Sequence, residues 1–314
     1  MSSSIPYSYY SPCHLGSVNG KQNVVNFVAS VILTILSPVA VVENALIMTA
    51  IWKNHSLRRT PSYILLGFLA FTDLCTGLIT QPFHTAAELI CILNSEQERM
   101  HLSFLAYARA IAEGSGTYFS SLTLFILTLM SVERWLYMTR RSLLNVRRSY
   151  VMMTCTMFLL MPLVAFRLLH LLKNTHRLVS NAILFVILLF CLTISSTAYF
   201  KVVRIIRCHQ RQVQAHEPRQ SIGGQSPIDL VKYKKSVFTI LYILGVFYIS
   251  YLPFVVFFGL SFHFNHSDLE MAFIISLMFL FLSSAINPLI CLWRMNDIRN
   301  GVKQLLRKLL CKET

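Results

Sequence analysis

The sequence is poor in charge. Only 13% of its 314 residues are Asp, Glu, Lys or Arg, where a soluble domain carries about 25%. Acid is scarcer than base: 13 Asp and Glu stand against 28 Lys and Arg, a formal net charge of +15. Long polar segments are lacking too. The longest lies between Arg207 and Lys232, too short to hold a soluble domain. No basic stretch interleaved with aromatics lies outside the apolar runs, so the positive charge does not read as a nucleic-acid surface. Residues 1–20 have no basic segment followed by an apolar one, which argues against a cleaved signal peptide. The eight cysteines form no C-x-x-C and no Cys/His zinc spacing, so neither a redox motif nor a structural zinc is expected. His84, His101, His170, His176 and His263 stand singly, away from carboxylates at ligand spacing. That excludes a metal-dependent hydrolase. No internal repeat is visible, and a transporter would be expected to show one. No catalytic residues and no resident cofactor are expected.

What is present is apolar. Hydrophobic residues make up 55% of the chain, Phe alone numbers 22, and the mean hydropathy is +0.57. Seven apolar runs occupy roughly 24–52, 61–93, 104–138, 150–172, 178–206, 233–262 and 269–293. Each is long enough to cross a hydrocarbon core of about 30 Å. A shorter amphipathic stretch follows at 296–310. There Ile298, Val302, Leu305, Leu306, Leu309 and Leu310 recur at helical spacing with basic residues between them, as in a helix lying on a membrane surface. The fold expected is an all-α membrane protein, a seven-helix bundle with a short amphipathic eighth helix.

The basic residues orient it. Lys53, Arg58 and Arg59 follow run one; Arg140, Arg141, Arg147 and Arg148 follow run three. Lys201 to Lys235 flank the gap between runs five and six, and the tail carries Arg294, Arg299, Lys303, Arg307, Lys308 and Lys312. Only Lys21, Arg99, Arg109, Arg167, Lys173 and Arg177 fall on the other side. Positive charge collects on the cytoplasmic face. The chain is therefore divided into an extracellular N-terminus at 1–23, a membrane domain at 24–293 and a cytoplasmic tail at 294–314. Ser221 to Pro227 reads as a flexible polar linker within the third inner loop.

Polar residues inside such runs are costly against lipid, so they face the protein interior or mark a mechanism. Run one carries Glu43–Asn44, read as one buried polar pair. Run two carries Asp73, and run seven carries Ser283, Ser284 and Asn287–Pro288. A carboxylate among hydroxyls and amides would suit a sodium ion, since hard cations take oxygen ligands. A hydrogen-bonded packing network without an ion is the equal alternative. Run three closes on Glu133–Arg134–Trp135, an adjacent acid and base at membrane depth. Pro162, Pro253 and Pro288 interrupt their runs, each removing an intrahelical hydrogen bond.

In this order the motifs resemble those of rhodopsin-like (class A) G-protein-coupled receptors over essentially the whole chain. They are Asn44, Leu69-x-x-x-Asp73, Glu133–Arg134–Trp135, Tyr199, Phe247-x-x-Ser250–Tyr251–Leu252–Pro253 and Asn287–Pro288–Leu289–Ile290–Cys291. The resemblance implies partners and roles. Glu133 would restrain Arg134 until the sixth helix moves outward and admits a heterotrimeric G protein. Tyr199, Phe247, Tyr251, Pro253, Asn287 and Pro288 would form the switch. Asn44, Asp73, Thr123, Ser283 and Asn287 would form the polar network that binds sodium in the family. Residues 296–310 match the family's eighth helix, with palmitoylation expected at Cys311. The implied location is the plasma membrane.

The chain also departs from the family pattern. Tyr251 replaces the switch tryptophan, Cys291 the tyrosine that ends the seventh-run motif, and Cys191 the fifth-run proline. Tyr233, Lys234 and Lys235 stand where an acid often faces Arg134, so appreciable basal signalling is expected. A non-signalling or constitutively active atypical receptor of the same fold is the alternative. Arg109 stands at the position of the usual run-three cysteine. A Cys13–Cys91 bridge would substitute for the missing disulfide, although sequence does not set the pairing. This pattern, with a very short second outer loop, resembles the melanocortin, lysophospholipid, cannabinoid and adenosine receptors.

On run three, Arg109, Glu113, Gly116, Thr117, Ser120 and Thr123 form one stripe. With Glu88, Tyr251, Phe254, Phe257, Phe258 and Phe273 it would line a pocket both acidic and aromatic. Such a pocket suits a peptide, a lipid-like molecule or a nucleoside, above all one carrying a positive charge. Arg109 and Glu113, four residues apart, are equally placed to pair with each other. Asn265–His266–Ser267 is a glycosylation sequon in the outer loop. Asn54–His55–Ser56 matches too but falls on the inner side.

Overall fold

The computed structural model describes residues 20–93, 99–139, 145–173, 177–215, 227–260 and 267–310. These are helical almost throughout, with no β-strand among them. In chain order they form α1 (Gly20–Lys53), α2 (His55–Arg58), α3 (Pro61–Cys75), a π-helical turn (Thr76–Thr80), α4 (Gln81–Leu93), α5 (Arg99–Met138), α6 (Val146–Lys173), α7 (Arg177–Ala215), α8 (Pro227–Leu260), α9 (Ser267–Arg294) and α10 (Asn296–Leu310). The expected runs match these helices closely. The second run divides into α3, the π turn and α4, and α7 continues to Ala215, beyond the apolar run. Among the described residues six helices are long and apolar enough to cross a membrane, and α8 adds the apolar stretch Gly245–Leu260.

Local sequence explains the starts and turns. Thr60 sits extended before Pro61, which opens α3 with a pre-set φ and no lost donor. Asn54 caps α2 by accepting from the Ser56 N–H at 3.1 Å. Pro38, Pro162, Pro253 and Pro288 all lie inside continuous helices, as neighbouring helices allow in a membrane.

In lipid, apolar side chains gain little by leaving one apolar medium for another, so close packing and hydrogen bonds hold helices together. Both are visible where α1 meets the π turn. A Cβ on Gly77 would stand 3.1 Å from the Ser37 carbonyl oxygen and from Val41 Cγ2. That approach lets the Ser37 hydroxyl donate to the Gly77 carbonyl at 2.6 Å. The main core lies between α3, α5, α7, α8 and α9, with Leu69, Leu124, Ile126, Leu127, Met153, Phe247 and Ile298 fully or almost fully buried. It extends to one end of the bundle through Ile298, Val302 and Leu305, the buried face of amphipathic α10.

Candidate functional site

Three layers of polar groups run down the bundle. The innermost is built on the end of α5. Glu133 and Arg134 are both buried, and Arg134 Nε lies 3.6 Å from Glu133 Oε2. The same carboxylate oxygen accepts a hydrogen bond from the Ser62 hydroxyl at 3.1 Å. Arg134 Nε has no hydrogen-bond partner. Next to Ser62, the Tyr63 hydroxyl donates to Asp297 Oδ2 of α10 at 3.0 Å. The inner end of α3 thus holds the acid–base pair with one residue and the surface helix with the next. Trp135 carries Lys201 of α7 over its ring at 4.0 Å. Tyr199 packs half-buried against the core.

The middle layer surrounds Asp73. Asn287 Nδ2 donates to Asp73 Oδ2 at 3.0 Å, and Asn44 Nδ2 donates to the carbonyls of Ala40 and Ser284 at 2.8 and 2.9 Å. Thr123 reaches Thr72 rather than Asp73, hydroxyl to hydroxyl at 2.9 Å, and the Ser283 hydroxyl turns back onto the Leu280 carbonyl at 2.6 Å. A cavity of about 10 Å³ opens between Asp73, Thr76, Ser120, Thr123, Ser283 and Ser284, with Gly116 and Tyr251 above. That is the room one water or one bare ion needs. Its donors are hard oxygens, so the residues fit a sodium ion. Among the described residues no three His, Cys, Asp or Glu side chains gather as a metal site.

Glu43 corrects the sequence reading. Asn44 is buried in the network, but Glu43 is only half-buried at the margin of α1, and its Oε2 has no hydrogen-bond partner. Adjacent helical residues point about 100° apart, so both could not face the same interior.

The switch aromatics join the middle layer to the outer one. Phe247 and Tyr251 are buried with ring centroids 4.5 Å apart. The Tyr251 hydroxyl donates to the Ser120 carbonyl at 3.1 Å, and the Ser120 hydroxyl donates to Gly116 O. Gly116 itself sits under Thr80, whose Cγ2 would meet an added Cβ at 3.1 Å. Higher up, Phe254 and Phe258 stack 5.6 Å apart, with Phe273 of α9 at 5.6 Å from Phe254. Thr117 is half-buried beside this stripe.

At the outer rim Arg109 chooses a different acid from the one four residues along its own helix. It approaches Glu88 of α4 at 3.6 Å and donates to Cys91 Sγ at 3.3 Å. Glu88 also accepts from Asn26 Nδ2 of α1 at 3.1 Å. Glu113 is exposed and makes no ion pair with any described residue. The pairing of Arg109 with Glu113 is therefore replaced by a bond between helices, which ties the top of α5 to α4 and α1. Cys91 is disulfide-bonded. Its proposed partner Cys13 lies outside the described residues, as do the sequon Asn265 and the acylation candidate Cys311.

Sequence reasoning did not single out Ser62, Tyr63, Asp297 or Tyr248, and it took Arg294 only as one of the tail's basic residues. Ser62, Tyr63, Asp297 and Arg294 are common residue types at the end or flank of an apolar run, Tyr248 is one aromatic among many inside such a run, and only the packing gives each a partner.

A family model described as 7 transmembrane receptor (rhodopsin family) matches residues 43–290 of the chain. No curated protein matches it in sequence. Among solved structures, squid rhodopsin is similar with a TM-score of 0.68 and 16% sequence identity, over 92% of this chain and 87% of that one. At that identity the likeness is one of fold.

Proposed function

The chain belongs to the seven-transmembrane receptor (rhodopsin) family, and from that membership we propose that it carries an extracellular signal to a heterotrimeric G protein through an outward movement of α8. The observation that supports this best is the state of Arg134. The residue is buried, its Nε is without a hydrogen bond, and its one ion contact among the described residues is at 3.6 Å. A buried charge so incompletely compensated is costly to the resting fold. A G protein inserting at the inner face would give it new acceptors. Tyr233, Lys234 and Lys235 stand where the family often has an acid facing Arg134, so basal activity is expected.

The ligand we propose is a molecule with a positively charged group, of peptide or amine-bearing lipid type. Glu113 offers it an unpaired carboxylate, while Glu88 is already engaged by Arg109 and Asn26. Phe254, Phe258 and Phe273 supply an aromatic wall for the apolar remainder. This reading places the receptor with the melanocortin and lysophospholipid receptors rather than with those that bind nucleosides. Asp73, with Thr123, Ser283 and Asn287 around its cavity, would hold a sodium ion that favours the resting arrangement. The N-terminus is proposed to be extracellular and the receptor to act at the plasma membrane.

The test uses the full chain in nanodiscs with purified heterotrimers from each Gα class. Wild-type receptor is expected to accelerate nucleotide exchange on at least one of them above empty nanodiscs, and Arg134→Ala to abolish the effect. A response unchanged by Arg134→Ala would sink the proposal. Peptide, lysolipid and nucleoside libraries in the same assay identify the ligand, and Glu113→Gln should weaken a cationic hit at least tenfold.

A further inference from the structure

We infer that α8 is held in its inward position by three tyrosines, Tyr242, Tyr248 and Tyr251, each tied to a different neighbouring helix, and not by an acid on α8 that grips Arg134. The inference rests on the signalling movement of α8 proposed above and identifies the residues that restrain it. Past Asp229, α8 contains no Asp or Glu, so its inner half has little to offer the guanidinium. Helices in lipid gain little from mutual apolar contact, and polar links between them then weigh more.

The three links leave α8 in three directions. At 100° per residue, Tyr248 and Tyr251 lie about 240° and 180° around the helix from Tyr242. Tyr251 donates to the Ser120 carbonyl of α5 at 3.1 Å. The Tyr248 hydroxyl lies 2.7 Å from the Ser196 hydroxyl and 3.3 Å from the Leu192 carbonyl, both on α7. Tyr242 packs its ring against the end of α9, with the Arg294 guanidinium 5.0 Å from its centroid and the Trp293 ring at 5.9 Å. Arg294 also lies over Trp293 at 5.2 Å, and its Nε has no hydrogen-bond partner. The cation therefore lies against two ring faces that are themselves partly exposed, 46% for Tyr242 and 62% for Trp293, where the ring quadrupole attracts Arg.

Each contact has to break if α8 swings outward. A phenol hydroxyl leaving Ser196 or Ser120 would enter a region with few other acceptors, so the loss is not recovered from water. The tyrosines therefore weight the equilibrium toward the inward state without contributing charge. Tyr251 also roofs the cavity at Asp73. A ligand that displaces its hydroxyl from Ser120 would release one of the three.

The test uses the full chain in nanodiscs and two readouts. One is basal nucleotide exchange on the Gα panel. The other needs no G protein: the labelling rate of the buried thiol of Cys291, which shares a core cluster with Phe247 and Tyr251, with exposed Cys155 of α6 as reference. The variants are Tyr248→Phe, Tyr251→Phe, Arg294→Gln and Ser196→Ala, which touches α7 alone. Each is expected to raise both rates about 2- to 10-fold, the effect of one lost hydrogen bond or its equivalent. Ser196→Ala combined with Tyr248→Phe should exceed neither single variant by more than twofold. A merely structural role would lower thermal stability without raising basal exchange, and that result overturns the inference. Unchanged Cys291 labelling in all four variants, with wild-type exchange intact, overturns it as well. Faster Cys291 labelling with no response from any heterotrimer supports the tyrosine restraint and instead refutes the proposed G-protein coupling.

Discussion

Replacing Ser62 by Ala removes one hydroxyl and little else. In the structure that hydroxyl is a hydrogen-bond donor to Glu133 at 3.1 Å, and Arg134 approaches the same oxygen only to 3.6 Å. Ser62, Glu133 and Arg134 are 7%, 5% and 9% exposed, so water does not substitute for the lost donor. A hydrogen bond to a charged group contributes about 1.5–3 kcal/mol. The Glu133–Arg134 attraction at that separation is about 5 kcal/mol in an effective dielectric of 20, before desolvation is charged against it. Ser62→Ala is therefore expected to destabilise by about 1.5–3 kcal/mol. Glu133→Gln should cost more, about 3–5 kcal/mol, because it strands a buried cation. In a chain of this length the smaller loss lowers Tm by about 3–6 °C. The assay is thermal unfolding of the purified receptor followed with a thiol-reactive dye, since Cys191 and Cys291 are buried free thiols that unfolding exposes. A double-mutant cycle then isolates the link. If Ser62 acts through Glu133, the two losses fall short of additivity by about 1 kcal/mol or more. Strict additivity would refute the reasoning, because Ser62 would then be stabilising something other than the acid.

Gly77→Val should destabilise by about 1–3 kcal/mol, because its Cβ would press on the Ser37 carbonyl and Val41 and part the Ser37–Gly77 hydrogen bond; unfolding midpoints check it, and Gly67→Ala, with only Ile51 methyls at 3.8 Å, serves as the tolerant control. Glu43→Met is expected to raise Tm, since a half-buried carboxylate with an unpartnered oxygen gives way to an apolar side chain; a fall in Tm would mean that the carboxylate has a partner after all. Arg109→Ala should cost only about 1 kcal/mol or less, because both side chains of the Arg109–Glu88 pair are partly solvated. That cost should shrink further between 0.05 and about 0.5 M salt as screening grows, measured by Tm at each ionic strength.

The sequence determined the number and placement of the spanning helices, because a bilayer requires long apolar runs and positive charge sorts their ends. It also marked Asp73, Arg134 and Asn287, because charge and amide groups at that depth are too costly to be incidental. The Glu133–Arg134 neighbourhood was legible for the same reason, while Ser62 was not: a serine at the end of an apolar run has no signature until a carboxylate from another helix meets it. Glu43 shows the limit from the other side, since adjacency to Asn44 in the chain suggested a shared interior that the helical turn denies. Arg109 had one acid within reach by sequence logic, Glu113 four residues along its own helix. Spacing along α5 offered Glu113 alone, and only the packing of α1, α4 and α5 brought Glu88 to Arg109 and left Glu113 without an ion pair among the described residues. Of the three tyrosines of α8, Tyr251 was marked by its place in the switch motif, whereas Tyr242 and Tyr248 read as ordinary aromatic residues in an apolar run. Which hydroxyl finds a partner depends on the neighbour that each face of the helix meets. Periodicity along one chain specifies the faces of a helix, and tertiary structure alone specifies what stands opposite them.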